Sequence, residues 1–71
     1  MTIDIFHVPG IHTQQDAETI TQAVNRIHGI RVIQVNLAQR SVRVEHDDQA
    51  GISEIIRAIT RAGFNDVAVM A

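Results

Sequence analysis

Val8-Pro9-Gly10-Ile11-His12-Thr13-Gln14-Gln15-Asp16 is the stretch on which the fold turns, because it closes an apolar run of period two and opens one of helical period. Upstream, Thr2 to Val8 alternates in the strand sense, with Phe6 and Val8 on one face and Ile3, Ile5 and His7 on the other. Pro9 lacks an N–H and Gly10 permits a tight path, so the strand stops there. Downstream of Thr13, residues Ala17, Ile20, Ala23, Val24 and Ile27 form one stripe of a helix. Gly29 is expected as the C′ residue that ends it. His28 is then expected in the last helical turn, facing the negative end of the dipole.

The remainder repeats this plan. Ile30 to Leu37 reads as a second strand with Ile33, Val35 and Leu37 inward, and Ala38-Gln39-Arg40 as a hairpin connection. Ser41 to Glu45 reads as a third strand, and His46-Asp47-Asp48-Gln49 as a loop. A second helix is expected over about Ile52 to Ala62, with Ile52, Ile55, Ile56 and Ile59 in its stripe and Gly63 as its stop. Phe64 to Met70 supplies a last short strand. The order predicts an α+β fold: a ferredoxin-like βαββαβ sandwich, a four-stranded antiparallel sheet with two helices on one face, as one domain over residues 1–71. Strands one and three would lie in the middle. His7 and His12 then fall at one pole and His28 and His46 at the other.

Composition narrows the function. A chain of 71 residues, 45% apolar, has room for one modest core. The absence of cysteine removes disulfides, thiolate ligands and thiol redox chemistry. All six basic residues are arginines, set against eight acids, and a net charge of −2 gives no field for phosphate backbones, so nucleic acid is not an expected partner. With no basic leader and no long apolar run, no membrane insertion is expected, and the chain reads as complete, soluble and cytoplasmic. Catalysis lacks a cysteine nucleophile, a Ser-His-Asp spacing, a carboxylate pair in an evident cleft and a Gly-rich phosphate loop. RNA binding on such a sheet would need outward aromatics, and Phe6 faces inward.

Several segments together resemble the heavy-metal-associated domain of small copper chaperones and metal-transporting ATPases. They are Val8-x-Gly10, the helix with Ile20, Val24 and Ile27, Gly29-Ile30-x-x-Ile33-x-Val35-Asn36-Leu37, Val42-x-Val44, and Ile55 with Ala58-Ile59 and Ala62-Gly63-Phe64. That family holds soft metals in a Gly-Met-Thr/Ser-Cys-x-x-Cys loop. By this resemblance Ile11 stands in the Met position, His12 in the Thr/Ser position, and Thr13 and Asp16 in the two Cys positions. A hydroxyl and a carboxylate are hard donors and cannot replace two thiolates around Cu(I). ACT-type amino-acid-binding regulatory domains, which share this topology and often carry Pro-Gly at the same point, are a third option.

Two readings of the loop follow. Thr13-x-x-Asp16 has the form of a capping box, in which each residue's side chain accepts from the other's backbone N–H. Alternatively His12 and Asp16, with His7 auxiliary, bind a borderline divalent metal such as Zn(II), Cu(II), Ni(II) or Co(II), for which imidazole and carboxylate are suitable donors. Two or three donors leave such a site incomplete, so a metal transporter or a second copy of the chain is the expected partner. His46, beside Asp47 and Asp48, is expected to be a loop histidine with a raised tendency to be charged, and a cation site there is a minor option. Ile3, Ile5 and Val32 are expected on the bare face of the sheet, joined by Met70 or Ala68, as an apolar interaction face. A metal-independent interaction or dimerisation module is accordingly the alternative function.

Overall fold

The computed structural model describes residues 1–70. Its elements are β1 (Thr2–His7), α1 (Gln14–Asn25), β2 (Ile30–Asn36), β3 (Ser41–His46), α2 (Ile52–Arg61) and β4 (Ala68–Val69). The strands form one antiparallel sheet in the order β2-β3-β1-β4, which puts β1 and β3 in the centre. Phe6, Val8, Val42 and Val44 on one sheet face pack with Ile20 and Val24 of α1 and Ile55 and Ile59 of α2 in one fully buried cluster. This is the ferredoxin-like βαββαβ arrangement, with both helices on one face. No helix among the described residues is long and apolar enough to cross a membrane.

Local chemistry sets most boundaries. After β1, Val8 still donates to the Arg40 carbonyl (2.8 Å), and the Ile11 N–H folds back onto the Val8 carbonyl (3.1 Å), which drives Ile11 into the core. Gly10 lies against Phe64, where a Cβ would come within 3.3 Å of the ring. Helix α2 ends in a Schellman motif: Gly63 (φ 105°) donates to Thr60 and Phe64 donates to Ile59, and the Phe64 and Ile59 side chains both enter the core.

Several details depart from the sequence expectation or add to it. Helix α1 stops at Asn25, before His28 and Gly29, because the Ile27 N–H turns to the Val24 carbonyl in a tightened last turn. His28 therefore lies beyond the helix, and Gly29 (φ 97°) serves a different contact, fitting against the Asp47 carboxylate where any Cβ would collide. In β2 a bulge between Ile30 and Val32 inserts Arg31, so that Ile30, Ile33 and Val35 all face the core while Val32 faces away. Leu37 does not join them. The Asn36 side chain caps the Gln39 N–H and Arg40 adopts φ 54°, so Leu37 begins the turn and is exposed. Ile52, at the first turn of α2, is exposed as well. The last strand shortens to Ala68–Val69, since Phe64 is held by the helix end and Asp66 takes φ 60°.

Candidate functional site

Thr13 is the N-cap of α1, in extended conformation (φ −130°, ψ 164°). Its Oγ1 accepts the Asp16 N–H at 3.1 Å, and Asp16 Oδ2 accepts the N–H groups of Thr13 (3.2 Å) and His12 (2.9 Å). The capping box is thus complete, and it carries one bond beyond the motif, from His12. These donors fix the charge. The His12 N–H above all holds the Asp16 carboxyl below its ordinary 3.8, with Thr13 and the nearby His12 imidazole adding to it against a smaller opposing effect of burial.

Of the predicted ligands the fold brings together His12 and Asp16. Oδ2 of Asp16 is committed to the cap, and no hydrogen bond among the described residues uses Oδ1. The His12 side chain is exposed at the pole, whereas His7 is half-buried on the outward sheet face, opposite Ser41 and Ala68. Among the described residues no three His, Asp or Glu side chains assemble as a group able to hold a metal ion. A cuprous ion does not fit this loop: the chain has no cysteine, Ile11 is buried in the core, and the only sulfurs are those of Met1 and Met70, outside the loop.

At the opposite pole His46 is a strand residue and not the expected loop histidine, although it keeps the expected raised tendency to be charged. His46 is the last residue of β3, and parity turns it inward to meet Asp4 of β1, with Nε2 and Oδ2 2.7 Å apart. Its Nδ1 faces the Asp47 carbonyl at 3.0 Å. Both ring nitrogens face acceptors, so the imidazolium satisfies the site and neither nitrogen is left for a cation. Burial opposes that charge, but the bond to Asp4, the Asp47 carbonyl, the Asp4 charge and the Ala50 carbonyl outweigh it and raise His46 above its ordinary 6.5. The Asp47 carboxylate is also occupied, accepting the Gln49 N–H at 2.8 Å. The signal for this pair was present in the sequence: Asp4 shares the parity of Phe6 and Val8, and a carboxylate on a core face needs a partner.

Ile3, Ile5 and Val32 do point to the outer sheet face, but they do not form one patch. Glu45 stands between Val32 and Ile3 in the register, and an Arg43–Glu45 ion pair of 2.6 Å runs along the central strand between the two apolar groups.

The family model of the heavy-metal-associated domain matches residues 5–65, and the chain belongs to that family. No curated protein matches it significantly in sequence. Among solved structures, apo-CopP from Helicobacter pylori is 30% identical with a TM-score of 0.82, covering 97% of this chain and all (100%) of its own. The CopZ metallochaperone is 27% identical with a TM-score of 0.86, covering 97% and 100%. The N-terminal domain of a potential copper-translocating P-type ATPase from Bacillus subtilis, in its Cu(I)-loaded state, is 25% identical with a TM-score of 0.87, covering 94% of this chain and 84% of that one.

Proposed function

We propose that this chain is a metal-handling member of the heavy-metal-associated family that carries a borderline divalent ion instead of a cuprous one. The donors are the exposed His12 imidazole and the free Oδ1 of Asp16, with His7 no more than auxiliary. The single observation that carries this reading is the arrangement at the mouth of α1, where an anionic carboxylate is held in place by the backbone of the same residue that offers the imidazole. Imidazole and carboxylate suit Zn(II), Cu(II), Ni(II) and Co(II). Two donors form an open, weak site, which suits an ion passed to a partner that supplies further ligands. Likeness to a metallochaperone and to a transporting ATPase domain supports a metal transporter as that partner.

Calorimetric titration of the purified chain with each of the four ions, above the pKa of a free imidazole, tests the reading. One weak site per chain is expected, lost in His12→Ala and weakened in Asp16→Asn. Absence of heat for all four ions at high micromolar protein would overturn it.

A second reading is that the fold is kept for protein contacts without any ion, and the closed capping box favours it. The Thr13 and Asp16 positions already satisfy each other's backbone, so the loop is organised in the absence of metal. The match to the heavy-metal-associated model weighs against the ACT-type option.

A further inference from the structure

We propose that the bare face of the sheet is self-complementary and joins two copies of this chain face to face, about a twofold axis that crosses β3 at the level of Val44. The register of the outward residues carries the inference. In one row across the sheet Val32, Glu45 and Ile3 lie side by side, and in the next Gln34, Arg43 and Ile5 do, with Met70, just past β4, donating its N–H to the Ile5 carbonyl. The central strand thus presents one positive and one negative group in adjacent rows, and both stay partly accessible, at 38% and 18%.

A face-to-face dimer with closed symmetry has its axis in the plane of contact, and two orientations keep the strands aligned. An axis along the strands would stack Arg43 on the partner's Arg43. An axis across them, passing between the two rows, exchanges the rows without moving any strand sideways. Arg43 then meets the partner's Glu45, Glu45 meets the partner's Arg43, and Ile3 packs on the partner's Ile5. The ion pair within each chain becomes one corner of a four-charge cluster with alternating signs, and the apolar residues of β1 are covered. Only the second orientation pairs opposite charges while packing Ile3 on Ile5, and it leaves Val32 over the partner's Gln34.

Three full strands about 4.8 Å apart and about 20 Å long present a flat footprint of roughly 300 Å². Even with side-chain relief this falls below the roughly 800 Å² per partner of a standard interface, so the dimer is weak and forms at high concentration.

Sedimentation equilibrium from micromolar to millimolar protein, with EDTA present to exclude ion-bridged association, tests the proposal independently of metal binding. The chain is expected to associate reversibly. Arg43→Glu and Glu45→Arg, each verified as folded by circular dichroism, are each expected to weaken self-association by about tenfold or more through like-charge contact. An equimolar mixture of the two variants is expected to regain it, because the all-negative strand of one then faces the all-positive strand of the other. Repair of the pair within one chain cannot produce that rescue. A monomer at millimolar wild-type protein would overturn the proposal, and so would association that either variant leaves unchanged or that mixing fails to restore.

Discussion

The imidazole of His46 and the carboxylate of Asp4, 42 residues apart in the chain, meet at 2.7 Å between the sheet and its helices. Both residues are buried, and among the described residues no fully buried side-chain nitrogen or oxygen lacks a hydrogen-bond partner. The pair ties the end of β3, and through Asp47 the approach to α2, to the start of β1.

This pair makes stability fall as pH rises. His46 binds its proton more tightly in the folded chain than its ordinary 6.5, so its contribution is fully present below that value and is lost as pH climbs through the higher folded one. Urea midpoints measured from pH 6 upward should fall across this window, and His46→Gln should flatten the slope. Removing the imidazole in His46→Ala strands the Asp4 carboxylate, and breaking a buried pair in this way costs about 3 kcal/mol or more.

The capping box titrates with the opposite sign. Asp16 has a folded pKa below its ordinary 3.8, so its contribution is present above that value and disappears as pH falls through the lower folded one. Thermal midpoints between neutral and strongly acid pH should show this loss, and Asp16→Asn should lack it. At neutral pH Thr13→Ala should cost about 1 kcal/mol, the usual effect of removing an N-cap oxygen.

Two glycines should respond oppositely to substitution. Gly29→Ala forces a Cβ into left-handed backbone and onto the Asp47 carboxylate, and should cost about 1–2 kcal/mol from the backbone alone. Gly51 is the N-cap of α2, has extended backbone, supplies no side-chain bond and has open space around it. Gly51→Asp should therefore gain a few tenths of a kcal/mol. Denaturant titration of both variants checks the contrast.

Restoring sulfur should restore the soft ion. The variant Thr13→Cys/Asp16→Cys places two thiolates at the mouth of α1 on a backbone that superimposes on a Cu(I)-loaded domain. Competition with a chromogenic cuprous chelator should give one tightly held Cu(I) per chain for this variant and none for the wild type. The variant should also lose the stability supplied by the capping box.

The elements were legible wherever a residue's fate depends on neighbours a few positions away. Thr13 and Asp16 announce a helix start by their spacing, Gly63 announces a helix end, and the alternation of Phe6 and Val8 against Ile3 and Ile5 assigns two faces to β1. The same signals failed where an outcome depends on a contact distant in the chain. The polar neighbours Asp47 and Asp48 point to a loop at His46, whereas pairing with β1 extends the strand to include it.

The order of strands and helices, the inward stripes apart from Leu37 and Ile52, the start of α1 and the exclusion of a thiolate site all follow from composition and short-range periodicity. Contacts distant in the chain settle the rest: Asp4 finds His46, a bulge at Arg31 lets Ile30 and Ile33 share the core, and Glu45 separates Val32 from Ile3. Strand register is fixed by the summed packing of whole faces against each other. No single residue carries that information, so which outward side chains become neighbours emerges only when the sheet is assembled.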